Sequence, residues 1–296
     1  MSTIQLDRGK KRFETDACSL GDLTIWKHYT DARIFDRYSP PPGQIEFSFS
    51  ILPDEANWCG VVLADTVMVV TRGNRDYSVV SPPKMTAYGV TFPEQILKKI
   101  DLFPEEFLDA FLIPETAFFN SLNSFTLRLF QHIEEILALT ADQKSFYNME
   151  TVTFYETIIS SLQKVIHGYT VNGNGGENHK TVYKADLIGQ TLEIFKANLK
   201  QPLSVADVAS QLGVSRRSLE IAFDNHLKVS PYSMFQTLRL HAIRELLSAG
   251  SSVQEACVEY GITNFGRFAG KFAGHFGVLP SAMPSLLSKN HIGRRS

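Results

Sequence analysis

The sequence SVADVASQLGVSRRSLEIAFDNHLKVSP fills residues 204–231, and SVQEACVEYGITNFGRFAGKFAGHFGVLP fills residues 252–280. The two stretches align at a constant offset of 48 positions through their first halves, and the second copy then contains one extra residue. An internal repeat of this kind indicates a structural unit that occurs twice in the chain.

Each copy carries the signals of a helix, a tight turn and a second helix. Ser204 and Ser252 are suited to cap the first helix, because each is followed three positions later by an acidic residue. Gly213 is suited to the left-handed conformation that ends a helix, and Ser215 is suited to cap the next one. The pattern therefore predicts a helix-turn-helix in each copy.

A third helix is predicted between the two copies. Ser230 and Pro231 begin it, and Gly250 follows its end. From residue 231 to residue 249 this helix would be about 28 Å long at 1.5 Å per residue. One turn of DNA is about 34 Å long, so a stiff helix of this length can hold two helix-turn-helix units over neighbouring turns.

Residues 204–280 resemble the double helix-turn-helix domain of the AraC/XylS family of bacterial transcription regulators. The first copy resembles the first family motif almost position for position. The second copy keeps further family positions, which are Gly261, Phe268, Phe272, Phe276, Gly277 and Pro280. The segment NFGRFA at 264–269 is similar to the H-x-G-R-F-A pattern of regulators of ethanolamine operons, which bears on ancestry and not on a ligand. The resemblance covers about the last 115 residues and implies a DNA-binding regulator that acts with RNA polymerase, usually as an activator.

The second helix of the first copy contains the side chains predicted to read bases. Arg217, Glu220 and Ile221 share its outward face, and Arg216 lies beside them. Arginine donates to guanine O6 and N7, glutamate accepts from cytosine N4, and isoleucine contacts a thymine methyl group. Ser215 and Ser218 are predicted to contact phosphate near the helix N-terminus. The predicted DNA-contacting residues of this recognition helix are Ser215, Arg216, Arg217, Ser218, Glu220 and Ile221.

The second copy predicts weaker base reading. Its recognition helix offers Asn264, Phe265, Arg267 and Lys271, and it contains Gly266 and Gly270. Because glycine costs about 1 kcal/mol relative to alanine inside a helix, this helix is expected to fray and to contact phosphates more than bases. Two further contacts to the DNA backbone are predicted at Arg239 and His275.

The charge is divided along the chain. Residues 181–296 contain 13 Lys and Arg against 8 Asp and Glu, whereas residues 1–180 contain 16 against 23. The basic C-terminal part suits a phosphate partner. The chain shows no membrane span or signal peptide and is expected in the cytoplasm. Its three cysteines are scattered and predict buried thiols.

The N-terminal part predicts β-structure. Short runs rich in Val, Ile, Phe and Tyr alternate with turn residues. The predicted strands are Leu23–Tyr29, Ile45–Leu52, Trp58–Leu63, Val67–Thr71, Tyr77–Val80 and Met85–Phe92. Such strands favour a small barrel or sandwich, and the resemblance implies a cupin-like sensor barrel. The basic run at residues 8–12 is either a frayed terminus or an arm that touches DNA.

Helices are predicted from residue 93 onward, with long amphipathic ones at 116–139 and 150–169. They pack either on the barrel or on the same helices of a second subunit. The domain prediction is a sensor domain at 1–100, a helical segment at 101–170, a glycine-rich linker at 171–180 and the DNA-binding domain at 181–296. The predicted fold class is α+β, with an N-terminal cupin-like β-barrel, a helical dimerisation segment and a C-terminal all-α double helix-turn-helix domain.

Two binding roles remain open for the barrel. It either binds a small-molecule effector or only dimerises and docks another protein. The predicted pocket residues are Trp26, Tyr38, Phe49, Trp58, Met68 and Tyr88. Catalysis, cofactors and a metal site are not expected, because the N-terminal half has no H-x-H pair, no phosphate-binding glycine loop and no nucleophile elbow.

Overall fold

The computed structural model describes residues 3–58, 61–73, 76–96, 118–120, 124–142, 150–171 and 186–283. The chain forms two compact units. The first contains Met1–Lys11, Ala32–Asp36 and Tyr183–Ser296, and the second contains Arg12–Asp31 and Arg37–Val182. The predicted linker at 171–180 lies outside the described residues, apart from its first residue.

The described residues of the N-terminal half form β-strands. They are β1 (Thr3–Gln5), β2 (Phe13–Leu20), β3 (Leu23–Thr30), β4 (Ile34–Tyr38), β5 (Gln44–Trp58), β6 (Val61–Arg72), β7 (Tyr77–Ser81), β8 (Met85–Pro93) and β9 (Phe118–Asn120). In the second unit, β5 pairs with β6, β7 and β8, β8 pairs with β3, and β3 pairs with β2. The sheet is curled into a half-barrel, which confirms the predicted α+β class with a C-terminal helical domain.

The strand boundaries around β5 were predicted incorrectly. Pro53 and Asp54 favour a break there, yet β5 continues through both to Trp58. The register shifts between Leu52 and Ala56 where β5 pairs with β6. A bulge tolerates proline inside a strand, because the bulged residue does not donate to the ladder.

The sheet of the second unit has two apolar faces. Ile45, Phe47 and Phe49 alternate with Glu46 and Ser48 along β5, so the two sets point to opposite faces. The face of Phe47 packs against helices α1 (Ser124–Asp142) and α2 (Glu150–Val171). The opposite face, which we call the interior face, has its own cluster. That cluster contains Leu52, Ala56, Trp58, Leu63, Val67, Val69, Tyr77, Met85 and Ala87, with Trp26, Tyr38 and Val79 partly buried against it.

The C-terminal part of the first unit is helical. Its helices are α3 (Asp186–Ala197), α4 (Val205–Gln211), α5 (Arg216–Leu227), α6 (Pro231–Ser248), α7 (Val253–Glu259) and α8 (Phe265–Phe276). Capping boxes begin α4 at Ser204 and α7 at Ser252, and Ser230 caps α6 with Pro231 at its first position. The repeat therefore produces helices α4 and α5, and again α7 and α8, at the predicted positions. Among the described helices, none is both long and apolar enough to cross a bilayer.

The beginning of the chain is part of the first unit and is not frayed. Strand β1 pairs antiparallel with β4, with Ile4 opposite Phe35. Gly9 N donates to Gly274 O at 3.1 Å, and Gln5 Nε2 donates to His275 O at 2.9 Å. The frayed-terminus alternative is therefore wrong for residues 3–9, because these hydrogen bonds hold the segment against α8.

Helix α8 is continuous over all twelve residues despite its glycines. A Cβ built at Gly270 or at Gly213 meets nothing within 4 Å. The two positions differ in backbone conformation, since Gly270 is helical and Gly213 has φ +67°.

Gly270→Ala is therefore expected to raise the free energy of unfolding by about 1 kcal/mol. Urea denaturation followed by circular dichroism measures this change.

Gly213→Ala is the matched control for this substitution. It adds the same methyl group to open space, but at a residue in the left-handed conformation. It is therefore expected to lower the free energy of unfolding by about 1–2 kcal/mol. If both substitutions changed the free energy of unfolding equally, the explanation that Gly270 destabilises α8 through its low helix propensity would be contradicted.

Candidate functional site

Helix α5 presents a polar, solvent-exposed face. Leu219 and Phe223 are fully buried beneath it. Arg216 and Arg217 are exposed at its N-terminal end, and the Ile221 side chain is 47% exposed. The side chains predicted to read bases are thus positioned at the surface by a helix that buries its opposite face.

The N-terminus of α5 is held by two serines. Ser215 Oγ accepts a hydrogen bond from Ser218 N at 3.0 Å, and the two hydroxyl groups lie 2.8 Å apart. Both residues are exposed. The helix N-terminus carries partial positive charge, so an approaching phosphate is favoured at this position.

The two arginines of α5 differ in their partners. Arg216 Nε donates to Glu220 Oε1 at 2.9 Å, which is an exposed ion pair one helical turn apart. No hydrogen bond or ion pair joins the Arg217 guanidinium to another of the described residues. Exposed pairs of this spacing contribute about 0.3–0.5 kcal/mol. The Arg217 guanidinium can consequently bind an external acceptor directly. Arg216 and Glu220 must first break their mutual ion pair before either can bind DNA.

Helix α8 repeats this arrangement with different side chains. Asn264 Oδ1 accepts from Arg267 N at 2.9 Å and caps the helix. Phe268, Phe272 and Phe276 form its buried side. Phe265, Arg267 and Lys271 are exposed, so the predicted contact residues of the second copy also lie at the surface.

Arg239, which was predicted to contact the DNA backbone, uses its guanidinium for a contact within the first unit. One guanidinium nitrogen donates to the carbonyl oxygen of Tyr260, the residue that ends α7. The guanidinium also lies 5.9 Å from the centre of the Phe235 ring. In this structure Arg239 ties α6 to the turn of the second helix-turn-helix.

His275 was also predicted to contact the DNA backbone, and the structure buries it. Its exposed fraction is 6%, and its ring packs edge-on to Phe276 with the centroids 4.7 Å apart. His241 lies 5.6 Å away and is buried too. Burial lowers the pKa of both imidazoles, that of His241 to about 3. Both rings are therefore neutral near pH 7, and His275 offers no charge to a phosphate.

The predicted pocket residues of the half-barrel lie on two opposite faces of the sheet. Trp26, Tyr38 and Trp58 belong to the cluster on the interior face. Phe49, Met68 and Tyr88 belong to the core under α1 and α2 instead. The Tyr88 ring stacks on Phe130 of α1 at 4.3 Å. The prediction of one shared pocket is thus wrong for these three residues, because side chains alternate between faces along a strand.

The interior face carries a polar cluster that the sequence analysis missed. Glu46 accepts from the Tyr38 hydroxyl at Oε1 and from the Thr91 hydroxyl at Oε2, each at 3.2 Å. Trp26 Nε1 donates to Thr91 Oγ1 at 3.3 Å. Burial raises the pKa of Glu46, although hydrogen bonds from Thr91, Tyr38 and Trp26 counteract this rise. The Glu46 side chain is nevertheless only half-buried, so it keeps some contact with solvent.

Three rings lie on the same face as this carboxyl group. The ring centres of Tyr38, Trp58 and Tyr77 are 5.9–6.0 Å apart in every pairing. Burial and the neighbouring Glu46 raise the pKa of Tyr38. The strict alternation of Glu46 and Ser48 with Ile45 and Phe47 is the sequence signal that would have identified the carboxyl group.

Within the described parts of the chain, no three His, Cys, Asp or Glu side chains are grouped as a metal site would require. Cys18 and Cys257 are buried thiols, and Cys59 lies outside the described residues.

Comparison with known proteins gives matches to transcription regulators. The probable thc operon regulatory protein of Rhodococcus erythropolis is 35% identical over 99 residues, which are 32% of this chain and 30% of that protein. The XylDLEGF operon transcriptional activator 2 of Pseudomonas putida is 31% identical over 101 residues, 33% of this chain and 64% of that protein. The chain thus spans less than two thirds of the length of these curated relatives.

A solved structure and a family model match as well. An AraC-type transcriptional regulator from Chromobacterium violaceum is 28% identical, with a TM-score of 0.34, and the match covers 35% of this chain and 94% of that one. Residues 208–284 match the family model described as a helix-turn-helix domain. This range contains most of α4 and all of α5 to α8. The family match shows that the C-terminal helices of this chain form a helix-turn-helix domain.

Proposed function

We propose that this protein is a sequence-specific DNA-binding transcription regulator that reads two adjacent major-groove segments. The observation that carries the proposal is the duplicated helix-turn-helix, in which α5 and α8 each bury one face and expose a polar one. Helix α6 separates the two units with 18 residues, or about 27 Å at 1.5 Å per residue. This length is close to the roughly 34 Å of one DNA turn.

The contact residues of the proposal follow from exposure. In α5 they are Arg217, Glu220 and Ile221 for bases, with Ser215, Arg216 and Ser218 nearer to phosphate. In α8 they are Asn264, Phe265, Arg267 and Lys271. Arg239 and His275 are removed from the DNA contacts because both are held inside the first unit.

The regulatory role is proposed from the relatives. Proteins named as operon transcriptional activators match this chain, which supports activation together with RNA polymerase. We propose a cytoplasmic homodimer joined through the helical segment at 101–170, and no enzymatic activity. For the domains we propose a sensor domain at 1–100, a linker at 171–180 and a DNA-binding domain at 181–296, with residues 1–11 and 32–36 of the sensor range grouped with the C-terminal helices.

The half-barrel is proposed to sense a small-molecule effector. The polar and aromatic cluster on its interior face favours this role over a half-barrel that only docks another protein. Buried polar groups among aromatic rings are typical of ligand sites.

Selection from a pool of random duplexes by the purified protein tests DNA binding. The expected result is an enriched site with two conserved segments centred about 10 base pairs apart. Retention of all sequences alike, or one conserved segment only, would contradict the proposed reading of two grooves.

Lys271→Ala tests the phosphate role of α8. Lys271 is exposed and has no partner among the described residues, so its ammonium group is available to DNA. The substitution is expected to weaken binding to every sequence alike and to reduce the slope of log K against log salt by about 1. Fluorescence anisotropy at several salt concentrations measures the slope. The control is Lys196→Ala on α3, which removes a lysine already paired with Glu193 and is expected to leave the slope unchanged.

A further inference from the structure

We propose that the interior face of the half-barrel binds an organic ammonium ion, whose charged head pairs with Glu46 and lies against the rings of Tyr38, Trp58 and Tyr77. This inference rests on the proposed function, in which the half-barrel is the effector-sensing part. It adds the chemical class of the effector and the residues that recognise it.

The first argument is that the Glu46 carboxyl group has no counter-ion among the residues that the structure describes. Its two oxygens accept from neutral hydroxyl groups, one from Tyr38 and one from Thr91. No Lys or Arg among the described residues forms an ion pair with it. A half-buried carboxylate is stabilised by a charged partner, and each of its oxygens still has capacity to accept. An ammonium ion supplies the missing positive charge together with N–H or N–CH₃ groups.

The second argument is the arrangement of the rings. Tyr38 meets Trp58 at an interplanar angle of 76°, and it meets Tyr77 at 37°. The three rings pack into one cluster, and Tyr38 joins this cluster to Glu46 through its hydroxyl group. The faces of aromatic rings are negatively polarised and attract cations, including quaternary ammonium groups. The carboxylate and the rings therefore favour a ligand of the same charge.

A further polar group lies next to Glu46. Thr71 lies opposite Glu46 in the register of β5 and β6, which puts both side chains on the interior face. The Thr71 side chain is fully buried, and its hydroxyl group interacts with the hydroxyl group of Tyr38, which also donates to Glu46. Thr71 therefore helps to position the Tyr38 hydroxyl group.

The carboxyl group is also held in place before any ligand arrives. Trp26 Nε1 donates to Thr91 Oγ1, and Thr91 in turn donates to Glu46 Oε2. Gly89 allows this chain of hydrogen bonds, because a Cβ at that position would overlap the Trp26 indole. Pre-organisation of this kind reduces the cost of ordering the site on binding.

The chain provides its own reporter for the test. Its two tryptophans are Trp26 and Trp58, and both lie in the cluster on the interior face. The full-length protein is titrated with choline chloride and with butylammonium chloride while tryptophan fluorescence is recorded. The neutral counterparts of the same shape are 3,3-dimethylbutan-1-ol and butan-1-ol. At least one ammonium probe is expected to give a saturable change and to bind at least tenfold more tightly than its neutral counterpart.

Glu46→Gln tests the role of the charge. It keeps the shape of the side chain and is expected to weaken binding of the ammonium probe at least tenfold. The control is Glu55→Gln on the same strand, where the side chain is exposed, and it is expected to leave binding unchanged. Thermal melting of both variants verifies folding. The comparison of charged and neutral probes on the unmodified protein needs no variant and remains decisive if Glu46→Gln does not fold.

Three results would overturn the inference. These are equal binding of charged and neutral probes, no saturable binding of either ammonium probe, and binding of a trimethyllysine peptide in place of the small ions, which would indicate a protein partner. Selection of DNA sites by the same preparation separates this failure from failure of the proposed function. Specific DNA binding without ammonium binding would refute only the ligand class.

Discussion

Replacing Arg217 with alanine is expected to weaken binding to the selected DNA site about 5- to 150-fold, or about 1–3 kcal/mol for one lost bidentate contact to a base. Arg217 is exposed on α5, and it has no partner among the described residues. DNA binding therefore does not require its guanidinium to break an internal ion pair. The loss of base preference should be confined to one position of the DNA site, because the contact reads a single base pair.

Equilibrium binding to the selected site and to duplexes altered one base pair at a time measures this effect. Lys271→Ala serves as the contrast, since it removes one positive charge from the other recognition helix. Arg217→Ala should lose affinity for the selected site and relax the preference at one position, whereas Lys271→Ala should lose affinity for all duplexes equally. An equal loss on every sequence for Arg217→Ala would show that this residue contacts only phosphate.

Phe272→Ala is expected to lower the free energy of unfolding by about 3–5 kcal/mol. Its ring is fully buried and lies 5.6 Å from the Phe268 ring and 4.7 Å from the Phe276 ring. The same cluster includes Ile243 and Leu247 of α6. Removal of the ring leaves a cavity at the joint between α8 and α6, so the orientation of the second recognition helix is lost as well.

Phe265→Ala is the matched control on the same helix. The Phe265 ring is 43% exposed, and removing it should change stability by no more than about 0.5 kcal/mol. Urea denaturation monitored by circular dichroism compares the two variants. Similar losses for both would contradict the assignment of α8 as a helix that buries the side of Phe272 and exposes the side of Phe265.

The C-terminal helices were predictable because their signals are local. The serine caps at 204, 215 and 252 satisfy backbone groups within the next three residues, and Gly213 ends α4 through its own φ angle. Such features depend on a few consecutive residues and not on distant packing. Their recurrence at a constant offset made the prediction of two copies secure.

The functional side chains were predicted less well where burial depends on distant contacts. His275 follows Phe268 by seven positions and so shares its buried helix face, a signal that identifies it as core in retrospect. Arg239 is different, since only the folded structure brings the Tyr260 carbonyl group to its guanidinium.

The half-barrel shows another limit of sequence reasoning. Both faces of its sheet are rich in apolar residues, so the sequence does not indicate which face is covered by helices. Phe49 and Trp58 consequently appear equivalent in the sequence, although the first contacts Phe130 of α1 and the second contacts Tyr38 on the interior face. The pairing of residues 3–5 with β4 was also unforeseen, because it joins positions about 30 residues apart.

Methylation interference on the selected site tests the central claim most directly. Methyl groups at guanine N7 block contacts in the major groove, so the assay locates the base pairs that the protein reads. If α5 and α8 enter successive grooves, interference should occur in two clusters on one side of the duplex, about 10 base pairs apart. Arg217→Ala should abolish part of only one cluster. A single cluster, or two clusters on opposite sides of the duplex, would contradict the account.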